Sequence, residues 1–206
     1  MKKILYLLLI IFFLLTVSIT VIYAAYKTYK PHNIILMYHS IQPEPLNKYR
    51  DLYVSPDDLE NQFKIINELR ITTSFVNEIN SGGIYITFDD GYEDNYTNAF
   101  PLIKKHNVKV TIFMITDYIG TKGYLNESQI KEMADSGLVS IQSHTATHPD
   151  LTSLDSEQLY YELYSSKQKL EDITGQIVDV ISYPYGKYDS AVTDLATQIY
   201  SIGVTT

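Results

Sequence analysis

At 206 residues the chain holds one domain beside whatever its N-terminus is. A formal net charge of −8 argues against nucleic acid, which calls for a basic face, and the absence of cysteine excludes disulfides and thiolate metal sites. Hydrophobic residues at 45% suffice for a sizeable core, and the 19 tyrosines read first as strand and core residues, second as platforms for sugar rings.

Met1-Lys2-Lys3 is followed by an apolar run from Ile4 to Ala25, long enough to cross a bilayer. Cleavage after Ala24 or Ala25 would leave Ile22 or Tyr23 where a signal peptidase needs a small residue. Lys2 and Lys3 favour a cytoplasmic N-terminus. The expectation is an uncleaved single-pass anchor over residues 1–30 with residues 31–206 outside the cytoplasm. Secretion after cleavage is the alternative.

Ile34-Ile35-Leu36-Met37-Tyr38 reads as a buried strand ending at His39, and a loop with Pro43 and Pro45 follows. Ser55-Pro56-Asp57-Asp58 opens a helix with cap, first-turn proline and first-turn acids in order, and Leu59, Phe63, Ile66 and Leu69 give it a core face. Ile84 to Phe88 is a short strand after Gly82-Gly83, with Asp89-Asp90-Gly91 at its C-terminal end. A helix near 98–106, a strand over 108–114 and a helix over 127–136 stopped by Gly137 come next. The strand over 138–143 ends at His144. A long amphipathic helix over 155–174 closes at Gly175, and a strand over 178–182 leads into the turn Tyr183-Pro184-Tyr185-Gly186. A helix near 190–200 and the segment 202–206 complete the order. Strands alternating with helices predict a mainly parallel sheet or barrel, its site on the rim where the strands end.

Asp89-Asp90 alone is weak, since acidic pairs often only cap loops. His144 and His148, four apart, are weak alone for the same reason of chance. Together they offer two imidazoles and a carboxylate, a facial set that leaves positions open for water and substrate, as a catalytic zinc site needs.

These residues carry a family resemblance. The chain resembles the polysaccharide deacetylases, the NodB-homology domains of carbohydrate esterase family four, from about Ile34 to its last residue. Thr87-Phe88-Asp89-Asp90-Gly91 is similar to that family's first motif, His144 to His148 to its second, and Ser182-Tyr183-Pro184-Tyr185-Gly186 to its third. The opening Leu36-Met37-Tyr38-His39-Ser40-Ile41 and the Tyr-Pro-Tyr-Gly form further resemble the branch that deacetylates poly-β-1,6-N-acetylglucosamine. The resemblance implies an α/β fold, a distorted (β/α) barrel of about seven strands. It implies a hydrolase that removes N-acetyl groups from N-acetylglucosamine residues of a cell-surface polysaccharide.

By the same resemblance Asp90, His144 and His148 bind a divalent metal, zinc first, with cobalt, nickel or manganese as alternatives. Asp89, left unligated, is the general base. The backbone N–H of Tyr185 steadies the tetrahedral oxyanion, with Pro184 and Tyr183 in the substrate-binding wall. A leaving amine must also be protonated. Many relatives supply a histidine from a Leu-x-x-His motif near the C-terminus, absent here, but Leu36-Met37-Tyr38-His39 has that pattern on the first strand. In a closed barrel first and last strands are neighbours, which makes His39 the expected general acid. His32 and His106 are expected to be structural or solvated. Relatives usually continue past a segment like Ile202 to Thr206 with another strand, so a shortened C-terminus with an exposed sheet edge is expected. Two rival readings stand beside this one. One keeps the machinery and changes the substrate to peptidoglycan, chitin oligomers or xylan; the other is an inactive, sugar-binding surface protein.

Overall fold

Parallel strands buried on both faces need apolar residues at nearly every position, and Ile84–Phe88 (β5), an interior strand of the sheet, supplies them. The computed structural model describes residues 33–43, 52–79 and 83–205. The anchor expected over residues 1–30, His32 and most of the Pro43–Pro45 loop lie outside the described residues. Among the described residues no helix is long and apolar enough to cross a membrane.

The main sheet has seven strands, all parallel. Ile34–Tyr38 (β1) pairs with β5 along its whole length. On the other edge of β5, Thr73–Ser74 (β4) takes the first two residues and Val110–Met114 (β6) takes the last two. The order then runs through Val139–Ser143 (β7), Val180–Ser182 (β8) and Ile202–Val204 (β9). A small separate pair joins Ser40–Ile41 (β2) to Tyr53–Val54 (β3).

The helices follow their local signals. Pro56–Glu68 (α1) is capped by Ser55, whose side chain accepts from the Asp58 amide, and buries Leu59, Phe63 and Ile66. Leu69, expected on that core face, follows the last turn and is 64% exposed. Among the described residues Phe100–His106 (α2) and Glu127–Asp135 (α3) follow, and both α3 and Ser156–Thr174 (α4) open with full capping boxes. Gly175 ends α4 in the left-handed conformation, and Ser190–Ile199 (α5) leads to β9.

Alternation along the strands sorts two cores. Ile86, Phe88, Val110, Ile112, Met114 and Ile141 face the helices in the large cluster. Tyr85, Phe113 and Val180 form a smaller cluster on the concave face with Val76. The sheet is curled but open: among the described residues β1 and β9 do not pair. Their inward residues Ile35, Met37, Val204 and Thr205 instead face each other across a cavity of about 150 Å³. This corrects the premise that the first and last strands are adjacent.

Candidate metal and catalytic site

The site forms where β1, β5, β7 and β8 end. The parity that sends Tyr85 and Thr87 inward also sends Asp89 into the concave cavity, where it meets Thr87 and Ser182. Ser182 Oγ donates to Asp89 Oδ2 at 3.2 Å. The next residue turns sharply. Asp90 has φ 72° and Gly91 φ 78°, so the two neighbouring carboxylates point to different places. At Gly91 a Cβ would come within 2.5 Å of the Met114 side chain, in addition to the left-handed φ.

Asp90 Oδ1 lies 3.6 Å from His144 Nε2 and 3.8 Å from His148 Nε2, and the two imidazole nitrogens are 3.1 Å apart. An ion about 2.1 Å from two imidazole nitrogens at a tetrahedral angle would hold them roughly 3.4 Å apart. The triangle therefore suits one divalent cation, and these three residues are a candidate metal cluster among the described residues. The tautomer fits as well. His144 Nδ1 is 2.8 Å from the Ser182 carbonyl oxygen, which can only accept, so the hydrogen sits on Nδ1 and the Nε2 lone pair faces the cluster.

The electrostatics agree with that reading. Burial pushes the His144 pKa down. Burial, then the neighbouring His144 charge, bring His148 down to about 4, so both imidazoles are neutral donors at neutral pH. Burial raises the Asp89 carboxyl to about 7, with the Asp90 charge adding and nearby His39 and the Ser182 hydroxyl opposing. Burial and the Asp90 carboxylate together hold the Tyr92 phenol above its ordinary range.

His39 follows β1, and the register Tyr38↔Phe88 sets it opposite Asp89, whose amide donates to the Tyr38 carbonyl at 2.9 Å. It reaches the site because β1 pairs with β5, not because β1 meets the last strand. Its backbone is pinned from below. Asp94, buried, accepts from Ser40 Oγ (2.5 Å), the Ile41 amide (3.0 Å) and Gln42 Nε2 (2.9 Å). Asn95 Nδ2 donates to the His39 carbonyl at 2.8 Å. Asp94 and Asn95 stand at the start of a π-helical turn, Asn95–Ala99, ahead of α2.

The loop with both histidines is pinned by α4. Glu162, buried in the Leu159–Leu163 face, accepts from the Ala146 amide (2.9 Å), the Thr147 amide (2.8 Å) and Thr147 Oγ1 (2.6 Å). Sequence reasoning passed over Glu162 and Asp94. The signal for Glu162 was present: a carboxylate at a core-facing helical position needs a partner.

Tyr185 has φ 59°, and its ring packs edge-on against His148 with centroids 4.6 Å apart while remaining 63% exposed. Pro184 and Tyr183 are buried. The Tyr183 amide donates to Val204 and its carbonyl accepts from Gly186, so these two residues shape the turn that presents Tyr185. His106 lies outside the site, 3.2 Å from Glu60 and edge-on to Phe63.

A sequence profile of the polysaccharide deacetylases matches residues 77–201. The chain belongs to the polysaccharide deacetylase family. Among its relatives in that family, YxkH of Bacillus subtilis (strain 168), grouped by name with the polysaccharide deacetylases, is 38% identical over 192 residues, 87% of this chain and 67% of its own. The peptidoglycan-N-acetylmuramic acid deacetylase PdaA of the same organism is 31% identical, covering 66% of this chain and 51% of its own. The poly-beta-1,6-N-acetyl-D-glucosamine N-deacetylase of Staphylococcus epidermidis is 32% identical over 116 residues, 50% of this chain and 40% of its own. The crystal structure of BC0361, a polysaccharide deacetylase from Bacillus cereus, superposes with a TM-score of 0.80 at 38% identity, covering 87% of this chain and 59% of that one. The chain thus spans between two fifths and two thirds of the length of these deacetylases.

Proposed function

We propose that this chain is a divalent-metal-dependent N-deacetylase of N-acetylglucosamine polymers, with poly-β-1,6-N-acetylglucosamine as its substrate. The observation that carries the reaction is the convergence of Asp90, His144 and His148 beside an unligated, buried Asp89. A divalent ion held by those three residues would polarise the acetyl carbonyl and acidify water near it. Zinc suits the two imidazoles and single carboxylate, and cobalt, nickel and manganese are accommodated by the same donors.

Asp89 is the general base. Burial makes the Asp89 carboxylate more basic than an exposed one, and an ion bound beside it would keep it ionised and ready to take a proton from the attacking water. Ser182 orients it through the bond to Oδ2. The backbone N–H of Tyr185 faces the developing oxyanion, and the left-handed φ of that residue is the backbone feature that aims it. His39, across from Asp89 on β1, protonates the leaving amine. The N-terminal apolar run supports placement as a single-pass membrane protein with its catalytic domain outside the cytoplasm.

The β-1,6 linkage rests on the Tyr183-Pro184-Tyr185-Gly186 form, the Leu36–Ile41 opening and the likeness to the staphylococcal deacetylase. The likeness to PdaA favours peptidoglycan as the second reading. The test is free-amine release by the zinc-loaded full chain from β-1,6-linked N-acetylglucosamine oligomers and, in parallel, from peptidoglycan. Release from the oligomers, lost on chelation and in Asp89→Asn, is the expected result. Release from peptidoglycan alone would move the substrate, and release from neither would overturn both of these substrates in favour of another acetylated glycan or a binding-only domain.

A further inference from the structure

Two clefts border α4 outside the metal site, and they share one residue. The smaller, of about 400 Å³, starts at Thr147 and Pro149, the two neighbours of His148, and runs past Leu154 and Gln158 to Tyr161. The larger, of about 910 Å³, lies between α3 and α4 and is lined by Tyr161, Asp117, Lys131, Gln168, Lys169 and Asp172. Tyr161 is 52% exposed and stands between the two. The far wall is tied to the metal loop itself: the Thr116 amide donates to the Thr145 carbonyl at 3.2 Å and the Asp117 amide to the Ala146 carbonyl at 2.9 Å. Tyr161 lines both clefts, so the two adjoin at this residue, and the smaller one reaches the chain neighbours of His148.

The chemistry of the lining selects an occupant. A tyrosine ring offers a flat apolar face with a polar tip. Around it stand carboxylates, an amide and ammonium groups, donors and acceptors together. The two lysines are already engaged, Lys169 with the Thr116 carbonyl at 2.8 Å and Lys131 with Asp135 at 3.4 Å. The lining carboxylates Asp117, Glu127 and Asp172 outnumber the two lysines, which disfavours an anionic polymer. A polyhydroxylated chain with apolar ring faces matches both the aromatic ridge and the mixed polar walls.

We infer that the two clefts form a track for a glycan strand, binding the sugar units beyond the one whose acetyl group is at the metal site. The inference rests on the deacetylase reading for the identity of the strand. Its physical consequence is length dependence. A strand long enough to occupy track and metal site together gains the effective concentration of a second, linked contact, and a dimer gains nothing.

The test measures binding and turnover separately on the full chain. With metal removed, calorimetry would compare a β-1,6-linked N-acetylglucosamine dimer with a dodecamer on the wild type, Tyr161→Ala and Gln168→Ala. Both side chains are exposed, so neither change opens the core. The dodecamer is expected to bind at least about tenfold tighter than the dimer, and each variant to lose most of that advantage. In the zinc-loaded enzyme, the dodecamer-to-dimer ratio of kcat/KM is expected to fall toward one in Tyr161→Ala. Equal binding of dimer and dodecamer, or a variant that keeps the wild-type preference, would overturn the track. Loss of amine release at every length, with dodecamer binding intact, would instead strike the catalytic reading and leave the track standing.

Discussion

Four of the six non-glycine residues with positive φ among those described are Asp90, Thr145, His148 and Tyr185, all in or beside the metal cluster. Such backbone costs about 1–3 kcal/mol each, and it persists here because hydrogen bonds hold it: Thr145 Oγ1 accepts from the His148 amide at 3.0 Å, and Glu162 grips the two residues between. Glu162→Gln keeps the shape of the side chain and weakens three bonds at once. Equilibrium dialysis against zinc is expected to show about tenfold or greater loss of affinity. The titration of Asp89 gives a second outcome with a definite sign. In the metal-free chain its pKa is about 7, so at about pH 6 it holds a proton that an ion bound to His144, whose Nε2 is 3.8 Å from Asp89 Oδ2, would expel. His148, brought down to about 4, has no proton to give at that pH. Calorimetry in buffers of different ionisation enthalpy is expected to find close to one proton released per ion at about pH 6 and almost none at about pH 8. Asp89→Asn is expected to abolish the release.

At the level of elements, local signals fixed the helices, and register fixed the chemistry. The cap Ser55 and the glycines 137 and 175 sit where their patterns predict, and the structure adds Asn126 and Asp155 as caps, because caps and left-handed stops are satisfied within a few residues. The partner of a strand is not local. His39 belongs to the site only because β1 lies against β5 in a register that sets it opposite Asp89, and the segment after it stays in place through Asp94 and Asn95. Asp94→Ala is expected to lower kcat on N-acetylated oligomers by about 100-fold, the scale of a lost general acid. The pH–rate profile separates this from general unfolding. The limb assigned to the acid is expected to disappear both here and in His39→Ala, while zinc binding at Asp90, His144 and His148 is expected to persist.

Taken whole, the candidate ligands come from two strand ends, Asp90 after β5 and His144 and His148 after β7, so an ion held there would tie the two together. A cation that binds only the folded state stabilises it by about 2.7 kcal/mol when free ion exceeds Kd a hundredfold. For a domain of this size that is roughly 5–11 °C in the thermal midpoint. Scanning calorimetry of chelated and zinc-loaded protein is expected to show an upward shift of that order, and His148→Ala to remove it. Among the described residues the outer edges of β1 and β9 have no strand partner. Ile35 and Met37 on β1 are 40% and 46% exposed, a consequence of the curl stopping short of closure.

The sequence by itself determined the alternating parallel architecture, the helices with their caps, the Asp-His-His donor set and the likeness to polysaccharide deacetylases, because each of these is written in short, contiguous patterns. The tertiary structure alone decided the divergence of Asp89 from Asp90 and the open seam between β1 and β9. It alone placed His39 opposite Asp89, Glu162 beneath the histidine loop and Asp94 beneath the loop after β1. The pairs involved are separated by 15 to 54 residues for the two carboxylate clamps. Nothing in a local pattern sets such a pairing, because it is the packing of the sheet against its helices that brings those groups within hydrogen-bond reach.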